Sequence, residues 1–363
     1  MNLARSAAAT TPTSHLPQQS ITIKRIGEEG ATGWNDYVDR AAAASAYHRY
    51  EWRNVIASVF GHESHYFAAH DQDGRVCGVL PTVRLRSALF GDFLISMPYF
   101  NYGGAVADDA DTAIGLAQHA ATQAEELGVS HLELRHSAPI CPEWPVRTDK
   151  VGMYLRLPDS AEALSKQLGS KLRSQIKRPT REGATCVSGG AELLDQFYAV
   201  FARNMRDLGT PVYPRAFFAA ILAAFASRTR VFVVHLKGAP VAAALVIGHR
   251  GRLEIPWASS LRDANGIGVN MLLYWHVLEY ACEQRYEVFD FGRSTLDAGT
   301  YRFKKQWGAE PHQLYWHYWI RGGGAPPVLN PSNPKYRLAV AAWRRLPLAI
   351  ANRLGPLLVR NLP

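Results

Sequence analysis

Six consecutive residues, Asn265-Gly266-Ile267-Gly268-Val269-Asn270, stand between a stretch with strand character and a stretch with helical spacing. Glycines there let a backbone approach a ligand closely. The N–H groups and positive dipole end of the following helix suit an anion such as a pyrophosphate. A turn that needs its glycines only for backbone geometry would carry the same letters. Further on, Phe289-Asp290-Phe291-Gly292-Arg293-Ser294 ends an apolar strand on a carboxylate and puts polar groups at a sheet edge. A basic-aromatic run follows, Gly299-Thr300-Tyr301-Arg302-Phe303-Lys304-Lys305-Gln306-Trp307-Gly308. Asp290 is the expected proton acceptor, ahead of Glu254 and His276, because it ends a core strand; its other reading is a cap on the next turn. Lys304 and Lys305 can neutralise a phosphate or a developing oxyanion. Tyr301 and Trp307 can stack on a sugar or base, although aromatics at this density also build cores. No Ser-His-Asp or Cys-His pattern is visible, so a reaction by direct attack would rest on a neutral nucleophile, an oxyanion stabiliser and a proton acceptor.

These residues sit in the second of two similar halves. In the first, a helix over Tyr50–Phe60 leads to a hairpin, His65–Arg86, turning at Asp73-Gly74. A strand at Phe93–Met97, a Gly-Gly turn, a helix over Asp111–Leu127 and a strand at Ser130–Arg135 follow. The second half repeats this with a helix over Arg215–Ala226, a hairpin Val231–His249 turning near Lys237-Gly238, and a strand Leu253–Trp257. It closes with a helix over Val269–Arg285 and a strand Glu287–Phe291. Period-two alternation around turn residues marks the hairpins. The stripe Met271, Trp275, Leu278 and Cys282 marks the helix. An offset of about 160 residues is too long for a solenoid repeat and suits a duplicated domain. A helix between two strands of one sheet implies a parallel crossover, so each half is expected to hold a mixed sheet in an α/β fold.

The expected divisions are a disordered leader (1–20), a first domain (21–160), a basic helix and linker (161–190), a second domain (191–322) and a basic amphipathic C-terminal segment (323–363). The basic helix carries Lys166, Lys171, Arg173, Lys177, Arg178 and Arg181 and is expected to end near Pro179. The C-terminal segment reads as two short helices broken by Pro347 and Pro356. With 363 residues, 47% apolar and 20% charged, the chain has the makeup of a two-domain globular protein rather than a disordered one. A net charge of +9 favours an anionic partner. Cys77, Cys141, Cys186 and Cys282 are too scattered for a disulfide framework or zinc site and point to a reducing compartment. His62 and His65 read as a solvated turn, and no metal is expected. No apolar run reaches the length of a membrane span.

The Gly266-x-Gly268 turn resembles the coenzyme-A loop of the GNAT acyltransferases, Gln/Arg-x-x-Gly-x-Gly/Ala. Here Arg262 stands four positions before Gly266 instead of three, with Asp263 in the usual place, a departure that points away from ordinary acetyl-CoA use. The run from Gly292-Arg293-Ser294 to Trp307-Gly308 resembles the Fem family, GNAT-superfamily enzymes that build peptidoglycan cross-bridges. It looks closest to FemAB-related proteins found with exopolysaccharide and PEP-CTERM systems. The likeness spans roughly residues 45–320. It implies two tandem GNAT-like domains and a splay between central strands where a backbone N–H serves the oxyanion. It further implies a donor site at Arg262, Gly266, Ile267, Gly268, Val269 and Asn270.

For the acceptor, Pro98-Tyr99-Phe100-Asn101-Tyr102-Gly103-Gly104 resembles the aromatic-glycine turn that lines the Fem acceptor cleft, which points to Tyr102 and Gly103. Lys171, Arg173 and Lys177 resemble the basic helix near the substrate phosphates. Arg203, Asn204 and Tyr213 are expected at the cleft between domains, and Arg293, Ser294, Tyr301 and Trp307 complete the acceptor set. The implied donor is acyl-CoA or aminoacyl-tRNA, with tRNA less favoured because the long coiled-coil insertion is lacking. The implied acceptor is a phosphorylated or lipid-linked sugar or peptide precursor of the envelope or an exopolysaccharide; DNA is not expected. A peptidoglycan bridge ligase charged by aminoacyl-tRNA and a non-catalytic glycan- or nucleotide-binding scaffold are the other readings. The expected location is cytoplasmic, peripheral on the inner face of the membrane. The C-terminal segment would either dock there or pack back on the second domain.

Overall fold

A computed structural model describes residues 21–88, 90–327 and 334–362; the expected leader lies outside the described residues. Two mixed sheets carry the fold. The first runs, edge to edge, Thr22–Arg25, Glu63–His70, Val76–Ser87, Gly91–Ile95, His131–His136, Tyr315–Ile320 and Val146–Arg147, with Val106–Ala107 paired to Val76–Ser87. The second runs Ala184–Gly189, Thr229–Leu236, Ala239–His249, Arg252–Ser260, Val288–Ser294, Val151–Arg156 and Glu310–Gln313. The two orders correspond position by position. In each, one pair is parallel, Gly91–Ile95 with His131–His136 and Arg252–Ser260 with Val288–Ser294, and the other neighbours are antiparallel. The crossover helices are Ala110–Glu126 and Val269–Glu283.

Local chemistry explains the elements. In the first hairpin turn the Asp71 carboxylate accepts the backbone N–H groups of Asp73 (3.0 Å) and Arg75 (2.8 Å), and Gly74 takes φ +76°. An Asx-type turn of this kind fixes the register of the strands it joins. Asp109 caps the first crossover helix by accepting from the Thr112 N–H at 2.8 Å. Pro256 is tolerated inside a strand because it sits where the pairing of Arg252–Ser260 with Ala239–His249 slips by a bulge.

Each parallel pair is brief. Arg252, Leu253 and Glu254 face Val288, Phe289 and Asp290, after which the two strands part. In the first sheet only Leu94 and Ile95 face Leu132 and Glu133. Two wedges result, one per half, each beside a crossover helix.

The division between halves differs from the expected one at residue 160. Val151–Arg156 leaves the first half and pairs with Val288–Ser294 in the second sheet. Tyr315–Ile320 returns from the second half and pairs with His131–His136 in the first. Each half therefore donates one later strand to the other's sheet, where it pairs with the strand that follows the crossover helix. The expected linker belongs to the second domain as well. It forms two helices, Ala161–Gln167 and Ser170–Arg181, separated at Leu168-Gly169, which bury Leu164, Leu172 and Ile176 in the second core. Ala184–Gly189 is an edge strand of the second sheet. The helix ends near Pro179 as expected, with Pro179 inside its last turn and Arg181 its last residue.

The largest core lies between the sheets and joins both halves. Trp52 rests on Phe225 at 4.7 Å, Phe60 on Phe217 at 5.1 Å and Phe100 on Trp257 at 6.0 Å. An interdomain contact this apolar holds the halves as one body. His62 and His65 are buried, not solvated: His65 lies in Glu63–His70 facing the Glu63 carboxylate at 3.3 Å, and His62 precedes that strand. The C-terminal segment forms helices Pro334–Trp343 and Leu348–Val359; Pro347 starts the second and Pro356 is accommodated inside it.

Candidate active site

Asp290 is the last residue of its strand paired with Arg252–Ser260 and is fully buried. Its Oδ1 accepts the Gly292 N–H at 2.7 Å and the Tyr102 hydroxyl at 3.3 Å, while Oδ2 is buried without a partner. Glu254 lies opposite it across the parallel pair, also buried, with Oε1 unpartnered. Two carboxylates side by side in a dry site cannot both ionise cheaply. Burial raises Asp290 to about 6; burial, then the Asp290 charge, hold Glu254 well above the usual carboxylate range. The Arg252 and Lys304 charges offset part of this.

Lys304 is buried on the short helix Gly299–Lys305. Its Nζ donates to the carbonyls of Gly292 (3.0 Å) and Arg293 (2.8 Å), leaving a third N–H. Burial lowers it to about 8, against the upward pull of Asp290 and Glu254. The neighbouring Lys305 does not join it. It is exposed, with its ammonium 5.8 Å from the Tyr301 ring, because the helix turns successive residues to different faces.

Two hollows flank this cluster. One, of about 330 Å³, opens at the first wedge and is lined by His48, Tyr102, Gly103, Gly104, Arg135 and His136, with Tyr154 and Arg252 from the second sheet. Its loop is strained. Met97 (φ +50°) and Tyr99 (φ +74°) adopt the left-handed region, as does Gly103 (φ +135°). His48 Nε2 donates to the Gly104 carbonyl at 2.9 Å, His136 Nδ1 meets His317 Nδ1 at 3.0 Å, and His136 Nε2 is buried unpartnered. Burial keeps these histidines neutral at physiological pH, with His48 and His317 lowered to about 4.

The other hollow, about 240 Å³, lies at the second wedge between Ala258, Ser259 and Ser260, the start of helix Val269–Glu283, and Phe303. Arg262, Asn265 and Asn270 line it. Gly266, Ile267, Gly268 and Val269 shape the turn beside it, a 3-10 helix Arg262–Ile267 closed by Gly268 at φ +82°. Tyr274, which also lines it, stacks on Phe291 at 5.7 Å. Asp290 is thus linked to the first hollow through Tyr102. The second wedge lies beside the next residue of its strand.

Several expected site residues fall elsewhere. Arg203 belongs with the Gly266–Gly268 turn, its guanidinium 2.6 Å from the Asp263 carboxylate, because helix Leu194–Leu208 flanks that turn. Arg262 stays on the lining of the second hollow while donating to the Asp207 carbonyl at 2.8 Å. Arg173 caps the preceding helix through the Ser165 and Leu168 carbonyls, while Lys171 and Lys177 point to solvent. Trp307 and Tyr301 are buried in the second core, where Trp307 packs by Phe303 and Tyr274, so neither offers a stacking face. Arg293 lies 5.1 Å over Trp316, a ring also covered by Arg135 at 4.3 Å. Tyr213 packs edge-on to Tyr99 at 5.5 Å, and Ser294 is buried with its hydroxyl unpartnered. His276 is remote on its helix surface, 3.0 Å from Glu279. Among the described residues no group of three or more His, Cys, Asp or Glu could hold a metal ion.

Sequence reasoning missed Tyr154, Arg252, His48 and His136. Arg252 and Glu254 gave a signal, charges inside an otherwise apolar strand; the histidines and Tyr154 gave none beyond their type.

Residues 170–305 match the acetyltransferase (GNAT) domain family. The chain superposes on a crystal structure of FemX with TM-score 0.65 at 12% identity, covering 83% of this chain and 98% of that one. A tandem GNAT protein from the clavulanic acid biosynthesis pathway superposes with TM-score 0.51 at 14% identity over 85% of this chain and all of that one. The fold is a tandem GNAT fold. In sequence, the chain is 26% identical over 154 residues to UDP-N-acetylmuramoylpentapeptide-lysine N(6)-alanyltransferase of Weissella viridescens. That match spans 41% of this chain and 45% of the relative, so the chain spans less than half the length of that curated relative. The second wedge, with its Gly266–Gly268 turn, lies inside the matched GNAT region.

Proposed function

We propose that the protein transfers an acyl or aminoacyl group to an amine or hydroxyl of a phosphorylated or lipid-linked precursor of the cell envelope or of an exopolysaccharide. The observation that carries this is the position of Asp290. It is buried, partly protonated near neutral pH and half-unpartnered, tied by Tyr102 to one hollow and sitting beside the wedge of the other. The donor occupies the second wedge, with its phosphates at the start of helix Val269–Glu283. The acceptor occupies the first hollow, where Arg135, Arg252 and the neutral histidines bind its polar groups. Asp290 takes the proton of the attacking amine or hydroxyl, directly or through the Tyr102 hydroxyl. The nucleophile adds to the donor carbonyl; the tetrahedral oxyanion collapses and expels the thiolate of a coenzyme or the ribose hydroxyl of a tRNA. Lys304, with one N–H beyond its two carbonyl bonds, stabilises negative charge on that path.

The alanyltransferase relative supports an aminoacyl donor and a peptidoglycan-type acceptor, so the Fem-like ligase is the second reading. Titration calorimetry of the protein with acyl-CoA and with aminoacyl-tRNA separates the donors. Mass spectrometry of candidate amine acceptors incubated with the bound donor then reads the product. Binding of neither donor would leave the scaffold reading standing and sink the transferase.

A further inference from the structure

The helix Leu348–Val359 meets the protein through its small residues. Ala351, Gly355 and Val359, four positions apart, are buried, and a Cβ on Gly355 would lie 2.8 Å from the Val212 nitrogen. The seating is fixed on both sides. Arg206 donates to the Leu346 carbonyl at 2.9 Å and Arg344 to that of Leu208. Arg360 donates to the Phe60 carbonyl at 2.8 Å, while His62 and the Tyr99 hydroxyl both reach the Arg360 carbonyl at 2.6 Å. The segment therefore does pack back on the molecule, across both halves.

Its large apolar side chains point the other way. Ile350, Leu354 and Leu357, at helical spacing, are 45%, 41% and 62% exposed, with Arg353 exposed on the same stripe. A helix serving only the core would turn its leucines inward. Helix Pro334–Trp343, seated by Val340 against Gly209, adds exposed Leu338 and Arg337, and Arg345 is exposed in the link between the helices. Leu208, whose carbonyl Arg344 holds, is also exposed. From Gly322 onward the sequence has six basic residues and no acidic one.

We infer that this outward face, apolar and uniformly basic, is a docking surface for an anionic lipid bilayer. Leucine and isoleucine side chains enter the headgroup layer and the arginines meet lipid phosphates. Among the described residues no helix is long and apolar enough to cross a membrane, so the contact is peripheral. The inference stands apart from the transfer chemistry proposed above and rests on none of its residues.

The test is flotation of the full-length protein with phosphatidylcholine vesicles, with and without phosphatidylglycerol. Binding is expected only with phosphatidylglycerol and should weaken in high salt. Leu354→Glu/Leu357→Glu should lower it by about tenfold or more. Arg345→Glu/Arg353→Glu should lower it by roughly fivefold or more per arginine. Leu354→Ser/Leu357→Ser serves if the glutamates disturb folding, judged by melting temperature. Equal binding of wild type and folded variants overturns the inference. So does a wild-type dimer in sedimentation equilibrium that the same substitutions dissociate, without vesicle binding, since a second copy then covers this face.

Discussion

At the scale of single residues, Asp290 and Lys304 are held buried at a cost in stability near neutral pH. Asp290 has its folded pKa raised from 3.8 to about 6, so the neutral carboxyl favours the fold. That contribution is whole below 3.8 and is lost as pH rises through about 6. Lys304 is lowered from 10.5 to about 8; its contribution is whole above 10.5 and is lost as pH falls through about 8. Near neutral pH both groups therefore stand on the destabilising side. Asp290→Asn keeps an oxygen for the Gly292 N–H and the Tyr102 hydroxyl while removing the charge. We expect it to leave the melting temperature at pH 7.5 unchanged or higher, while turnover falls by about 10²–10³-fold. A turnover within a few fold of wild type would make Asp290 a structural cap. If Asp290 must be ionised and Lys304 protonated, kcat/KM should follow a bell with limbs near 6 and 8 that belong to the coupled cluster. Tyr102→Phe removes a hydrogen bond to the ionised carboxylate. It should move the acidic limb upward, a shift that loss of packing alone would not produce.

The elements around the wedges show which glycine can be probed. Gly268 sits at φ +82°, where any side chain strains the backbone by about 1–2 kcal/mol, so Gly268→Val should lower the melting temperature whatever it does to the donor. At Gly266 an added Cβ would meet nothing within 4 Å, and φ is ordinary. Gly266→Val should therefore keep the melting temperature and weaken donor affinity, read by calorimetry; unchanged affinity in the folded variant would mean the turn only turns. Much of this scaffold was legible beforehand. The hairpins, both crossover helices and the placement of Asp290 on a core strand follow from alternation, turn residues and helical stripes. What stayed hidden was partnership between distant strands. Glu254 could be recognised as a charge within a strand, yet nothing local showed that it faces Asp290. The same holds for Tyr154, which reaches the site only because its strand pairs with Val288–Ser294. Lys304 and Lys305 were indistinguishable as letters and were separated by the rotation of one short helix.

Across the whole molecule, the reciprocal donation of Val151–Arg156 and Tyr315–Ile320 binds the halves more firmly than a linker could. Residues 21–149 expressed alone should fail to give a folded, soluble domain, because His131–His136 would present an unpaired edge. Circular dichroism and size exclusion of that fragment decide it, and a monomeric fragment with cooperative melting would refute the point. The same donation sets a schedule during synthesis. The strand that completes the first sheet lies roughly 180 residues beyond its partner His131–His136. At about 5–20 residues per second, a ribosome leaves that sheet incomplete for about 10–40 s. Throughout this interval the first half must wait, edge open, for the last strand of the second. Slow translation or a premature stop after residue 300 would therefore release an aggregation-prone product even though the first half is already complete in sequence.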